Sequence, residues 1–599
     1  MSKKLKIKTA WDLTLFYKSA NDPKLKTDVE KVEAAYQDFE KKYRGRTDWQ
    51  EDAGALFRAL SDYETLLATL PLSAPLNYFY YRKDLRSNDT EAESKINQLT
   101  ERLAKNENRL VFFELGLAKI KKETQPQFLA DQKLRPFRYY LSLIFDRSRY
   151  DLSEAEEKIM AMKSLTSHTL WVNGSDKILN KQTVLFKRKS IALPEASNMI
   201  SGLPTSDRRA LHKAIVEKLH SISDVAENEV NAIVLNKKIN DELRGYEKPY
   251  SATVLGYQNQ EKTVEALVEA VNAHQSISHR FYKLKAEMLG LTHLEYADRN
   301  ASIGKNKKKI TFNDAVSVVR KSFKRIDPEY EEILNRFLEK GQIDVYPKLG
   351  KTGGAYCSGN INAPTLVLLN QVDTLDSLMT LSHEMGHAIH TELSKEAQPP
   401  LYKHYTISAA EVASTLFEQF VFDDIFETLS EKEKFVALHN QVSDDIQTIF
   451  RQIACFNFEL ELHTTIRAKG SLPKEEIALL MNKHMKAYLG PAFKLTDLDG
   501  YFFVWWSHIR NFFYVYSYAL GKLTSKALYR KYKADPKFAS QIKQFLKAGG
   551  SASPEDIFRS IGVDITTPEF FKEGLAEVEA NLTQLEKLFK KSSRYLTQF

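Results

Sequence analysis

Within the stretch TLSHEMGHAIH (Thr380–His390), His383, Glu384 and His387 form the pattern H-E-x-x-H. On a helix, histidines at i and i+4 leave one face, so their imidazoles can share a single metal ion. Glu384 stands one residue further round. It cannot be a third ligand from that face, but it can reach a water on the ion and serve as its base. A catalytic zinc also needs a third protein ligand and an open position. His390 shares nearly the same face but lies too far along the helix, and it reads as packing. Where a three-histidine motif would place its last ligand, the chain has Leu393. A carboxylate from another helix is the remaining solution. The chain holds no acidic residue between Glu396 and Glu411. Glu411 opens EVASTLFEQFVFDDIF, a helix with an apolar face, and QPPLYKHY before it would turn that helix back against the first. Glu411 is the third-ligand candidate, and Glu418, two turns on along the same face, is the fallback. The bland alternative is an ordinary helix carrying these residues by chance.

Three strand signals stand just before this helix: QIDVYP (Gln342–Pro347), GAYCSG (Gly354–Gly359) and TLVLLN (Thr365–Asn370), bounded by Gly, Asn and Pro. They predict a small sheet beside the motif. Almost everything else reads as helix. Thr90–Ile120 is long, amphipathic and rich in helix formers, and Glu261–Gly290 reads as one helix ended by glycine. Ser153 with Glu156, and Ser430 with Glu433, have capping-box spacing. Ser553-Pro554 and Thr567-Pro568 each place a cap before a first-turn proline. A soft boundary near Leu203-Pro204 divides a helical N-terminal region, 1–203, from a catalytic part, 204–599.

The 599 residues are 43% hydrophobic and 27% charged, as expected of a globular chain with a large core. The net charge of +8 comes from 86 basic and 78 acidic residues, interspersed rather than gathered into a nucleic-acid stripe. It slightly favours carboxylate groups on a partner. Two cysteines, Cys357 and Cys455, exclude a disulfide framework and point to a reducing compartment. The N-terminus lacks a signal-peptide core, and no stretch approaches the ~18 apolar residues of a membrane span. The expectation is a cytoplasmic protein with neither nucleic acid nor membrane as partner, a monomer or small homo-oligomer.

HEMGHAIH followed by EVAST resembles the oligoendopeptidase F and thimet oligopeptidase group of zinc metallopeptidases. LKAEMLGLTHLEYADRNASIG (Leu284–Gly304), GGAYCSG (Gly353–Gly359) and HIRNFFYVYSYALG (His508–Gly521) resemble oligoendopeptidase F segments in the same order. The likeness runs from about residue 200 to 580. It implies a mostly α, two-lobed molecule with a deep central channel and a small β-sheet beside the H-E-x-x-H helix. It implies one catalytic zinc ion, held by His383, His387 and the glutamate of an E-x-x-S segment, here Glu411. Short unfolded peptides are the implied substrates, cut internally with Glu384 as general base. His508 matches the family's downstream histidine, and the tyrosines of FFYVYSYA match its substrate-binding cluster. Tyr514 and Tyr518, at i and i+4, would share a helix face while Tyr516 points elsewhere; His508 and Tyr514 are the catalytic candidates. Tyr356 lies on a strand whose edge would pair with the substrate backbone. His404, on the turn between the two ligand helices, is a further substrate contact. Two rivals remain: a carboxypeptidase that reads the terminal carboxylate with Arg510, and a helical peptide-binding protein in which the metal motif is idle.

Overall fold

The computed structural model describes residues 6–70, 73–304 and 308–596. The protein is mostly helical and divides into two compact units, each assembled from three stretches of chain. The first takes Met1–Arg149, Lys308–Glu427 and Lys531–Val563; the second takes Tyr150–Lys307, Thr428–Arg530 and Asp564–Phe599. The expected boundary at Leu203-Pro204 therefore lies inside the second unit. The expected capping boxes form at Ser153 and Ser430, and Ser553 caps the short helix Pro554–Ser560 by accepting from the Asp556 amide.

In the first unit, helices Pro23–Tyr43, Ala53–Thr69 and Thr90–Ala118 pour their apolar stripes into one core. Phe113 sits at its centre, fully buried, with its ring against Phe39, Trp49 and Tyr63. A second core joins the N-terminal segment to the sheet. Trp11 donates its indole N–H to Val367 O at 2.8 Å, and its amide reaches the buried Asp344 carboxylate at 3.2 Å. The sheet has three strands. Ala363–Leu368 is central, parallel to Ile343–Asp344 and antiparallel to Tyr356–Asn360, which leaves the latter an edge. These are the three strands expected from the sequence.

The helix Leu375–Ala397 packs on this sheet and on the helix Ile407–Phe426. Thr374 caps its first turn through the Ser377 amide. Leu378, Leu381, Met385, Ala388, Ile389 and Leu393 are all fully buried, so the helix is covered on several sides and only a narrow stripe is left for chemistry.

The second unit differs from expectation in three places. Thr183–Phe186 and Lys189–Ala192 form a β-hairpin that carries no Gly or Asn turn signal. Lys187 and Arg188 hold the positive φ values, 50° and 64°, that a two-residue hairpin turn demands. The predicted helix 261–290 is two helices, Glu261–Ala273 and Ser276–Met288. At the break the His274 ring bonds to Ala270 O at 2.8 Å, a local side-chain alternative to the helical ladder. Finally, FFYVYSYA is not one helix. Phe512 and Phe513 are left-handed, with φ of 43° and 59°, and the helix begins only at Tyr516.

Candidate metal centre

His383 and His387 leave one face of their helix with ring centroids 4.8 Å apart and nearly perpendicular. Glu411 comes from the first turns of the facing helix. One ligand atom from each of the three lies within 4.8 Å of the others. His383 Nε2 and Glu411 Oε2 are 3.9 Å apart, close to the roughly 3.4 Å edge of a tetrahedron with bonds of about 2.1 Å.

The two helices can approach this closely because position 386 is glycine. A Cβ there would stand 2.8 Å from Ser414 Cα and 3.1 Å from Phe417 Cβ. Beside it, the buried Ser382 hydroxyl donates to Phe417 O at 2.9 Å and ties the helices together. Ser414 donates to Glu411 Oε2 at 3.2 Å, so the E-x-x-S spacing puts a hydroxyl behind the carboxylate.

Glu418, the fallback ligand, has another position. His383 Nδ1–H donates to Glu418 Oε1 at 2.5 Å. That bond fixes the tautomer, leaving the Nε2 lone pair directed toward Glu411, as a metal-ligating imidazole requires. Burial works against a charged His383, but the hydrogen bond it donates to Glu418 and the nearby carboxylates outweigh it and raise its pKa. Burial, then the neighbouring His383, pushes His387 down to about 3, so it is a neutral donor. This donor set fits a divalent cation with nitrogen and oxygen ligands.

Glu384 is buried beside the cluster. Burial pushes its carboxyl up to about 7; His383 opposes the shift, and Glu411 and Glu418 add to it. His390 is also buried, stacked flat on Tyr405 at 3.5 Å and edged by Phe545. A pocket of about 270 Å³ opens beside His387 and takes His404 and Tyr405 in its wall. Tyr356 does not line it. Its hydroxyl donates to Asp84 Oδ2 at 2.5 Å and its ring edges Trp11, while its strand neighbour Cys357 reaches the pocket instead. Burial, with Glu384 and Glu392 nearby, raises the Cys357 thiol well above its usual range, which leaves it without nucleophilic character at neutral pH.

His508, Tyr514 and Tyr518 gather in the second unit. The Tyr514 hydroxyl is hydrogen-bonded to His508 Nδ1, and the Tyr518 ring lies 5.8 Å from Tyr514 and 6.2 Å from His508. Tyr514 lies in the turn before the helix, so it is the left-handed pair Phe512–Phe513, not helical spacing, that sets it beside Tyr518. Tyr516 is buried and donates to Asn259 at 3.1 Å. Arg510 is buried in a two-pronged pair with Glu229 at 2.6 and 2.8 Å, so its charge is already answered.

Comparison with known proteins adds independent support. The model of peptidase family M3 matches residues 203–577, and the model described as oligopeptidase F matches 117–180. An oligoendopeptidase F homolog of Lactococcus lactis is 27% identical, with 98% of each chain covered. A group B oligopeptidase of Streptococcus agalactiae is 26% identical, again with 98% of each covered. Among solved structures, an oligoendopeptidase F from Enterococcus faecium has the same fold, with a TM-score of 0.67 at 20% identity and 95% and 99% of the two chains covered. A Chlamydophila abortus protein superposes with a TM-score of 0.87 at 22% identity, covering 98% and 99%.

Proposed function

Because the chain belongs to peptidase family M3, we propose that it is a zinc-dependent endopeptidase that hydrolyses internal bonds of short, unfolded oligopeptides. The observation that carries this reading is the convergence of His383, His387 and Glu411 within 4.8 Å, with Glu384 buried beside them. When bound by those three residues, a zinc ion supplies Lewis acidity, polarising a carbonyl and lowering the pKa of water.

The chain's own groups do the rest. Glu384 accepts the proton of the attacking water on a carboxylate oxygen, and then delivers it to the amide nitrogen as the peptide bond breaks. A carboxyl pushed to about 7 by burial can hold that proton between the two steps, although a neighbouring cation draws the value down. Glu418 keeps the His383 ring in register, and Ser414 steadies Glu411. His508 and Tyr514, already hydrogen-bonded to one another, are the donors we assign to the substrate carbonyl as it gains negative charge, with Tyr518 beside them as a substrate contact. His404, in the wall of the pocket beside His387, is a further substrate contact.

The names of the relatives, oligoendopeptidase and oligopeptidase, favour short peptides as partners. Two free thiols suit a reducing, cytoplasmic setting, and no described helix is long and apolar enough to cross a membrane. The carboxypeptidase reading is not favoured, since Glu229 occupies the arginine it would use.

The test combines two measurements. A peptide blocked at both ends should be cut internally by the wild type, and a chelator should stop the cleavage. Glu384→Gln should retain its metal while turnover falls by about 10²–10⁴. Normal cleavage by Glu384→Gln would sink the mechanism.

A further inference from the structure

The pocket beside His387 has two walls of different origin. Cys357 and Gly359, alternate residues of the edge strand, supply one. His387, Thr391 and Lys395, a stripe at helical i, i+4, i+8 spacing, supply the other. Lys403, on the turn toward the helix of Glu411, joins the lining together with His404 and Tyr405. None of the side chains that line the pocket is acidic.

The two lysines are not equivalent. The Lys395 ammonium donates to Ala363 O at 2.8 Å, Thr365 Oγ1 at 3.1 Å and Glu392 Oε1 at 3.3 Å. All three of its protons are committed to the sheet and helix that frame the pocket. Glu392 is also claimed by Arg336 at 2.6 Å, so this single carboxylate is shared by two cations. The Lys403 ammonium has no hydrogen-bond or ion-pair partner among the described residues. Lys403 and Lys395 also repel: after burial, which is the main cause, Lys403 contributes to lowering the Lys395 pKa. The cavity next to the metal cluster therefore has one ammonium, that of Lys403, left unpaired among the described residues, in a volume of about 270 Å³ suited to one side chain or chain end.

We propose that this pocket receives a carboxylate of the peptide substrate, paired with the Lys403 ammonium, so that Lys403 sets a preference for acidic groups near the scissile bond. The inference rests on the peptidase reading above and names a substrate class for it. The carboxylate has two possible sources, an acidic side chain or the peptide's own C-terminus, and the assay separates them.

Peptides blocked at both ends, carrying Glu, Gln or Lys at each position flanking the scissile bond, are compared by kcat/KM. A second pair differs only in a free or amidated C-terminus close to the bond. The wild type should favour Glu over Gln at one position, or the free acid over the amide, by about tenfold, equivalent to ~1.4 kcal/mol. The preference should weaken in high salt. Lys403→Gln should bring the ratio toward one, Lys403→Glu should turn it toward the Lys peptide, and Lys403→Arg should keep it. Equal rates on all peptides by the active wild type, or a preference that persists in Lys403→Gln, would overturn this proposal and leave the peptidase reading standing. Failure to cleave any peptide with metal present would overturn both.

Discussion

At the residue scale, the motif histidines are distinguished by what stands behind them. His383 has a carboxylate partner in Glu418, whereas His387 is a half-buried neutral ring with no such anion attached among the described residues. Outer partners of this kind orient a ligand and increase its basicity. Glu418→Gln preserves shape and removes charge, so metal affinity should fall by about 10–100-fold, read by competition against a chelating dye. An unchanged affinity would mean that Glu418 is incidental. His383, Glu384, His387 and Glu411 were legible because helical spacing and a gap in acidic residues single them out. Spacing also put Glu418 on the right face. Whether it meets the ion or the back of a ring depends on how far the helices slide past each other, which no spacing encodes. Tyr356 and Lys403 show the same limit. A strand pattern marks alternate faces but not which face meets the site, and a loop lysine declares nothing until its neighbours are known.

At the element scale, the close approach of the helices Leu375–Ala397 and Ile407–Phe426 is the structural condition for the centre. Gly386 lies at a close contact between them. The Cβ of Gly386→Ala would press on Ser414 Cα, a backbone atom that cannot swing aside. Overpacking of this kind costs about 1–3 kcal/mol, visible as a lower urea midpoint. Because Ser414 and Glu411 share that helix, the same change should also weaken metal binding, and a variant with wild-type stability and affinity would show that the helices do not depend on glycine here. A glycine at 386 is visible in the sequence; the partner it approaches and the distance are not. The hairpin Thr183–Ala192 and the turn at Phe512–Phe513 were missed for one reason. Both use left-handed backbone at Lys, Arg and Phe, residues whose intrinsic preferences point elsewhere and which are held there by their surroundings.

At the scale of the whole molecule, each unit is woven from distant stretches, and buried ionisable groups accompany the weaving. Glu459 is fully buried, accepts the Phe513 amide at 2.8 Å, and so holds the turn that leads to Tyr514. Burial pushes its carboxyl up to about 8, with the Phe513 amide and Lys237 opposing. A folded-state pKa above the unfolded value means that the native state binds the extra proton. The stability this contributes is complete below about 4.5 and is lost as pH rises toward 8. Each tenfold difference in proton affinity between the folded and unfolded chain is worth about 1.4 kcal/mol, so the loss is on the order of a few kcal/mol. Glu459→Gln, which cannot ionise, should flatten that slope in urea titrations run across this pH range; a slope equal to the wild type's would exclude Glu459 as its source. The features legible in the chain alone are local ones: helix class, caps, three strands, and the four residues whose types and spacing suit a metal and its base. They depend on periodicity and side-chain chemistry within a few turns of chain. Packing settled the rest: which chain stretches share a unit, that Glu418 backs His383, that Arg510 is spent on Glu229, and that Lys403, unpaired among the described residues, lines a pocket. Each of these depends on which distant residue arrives at a given face, and that is set by the assembly of the whole core rather than by any segment within it.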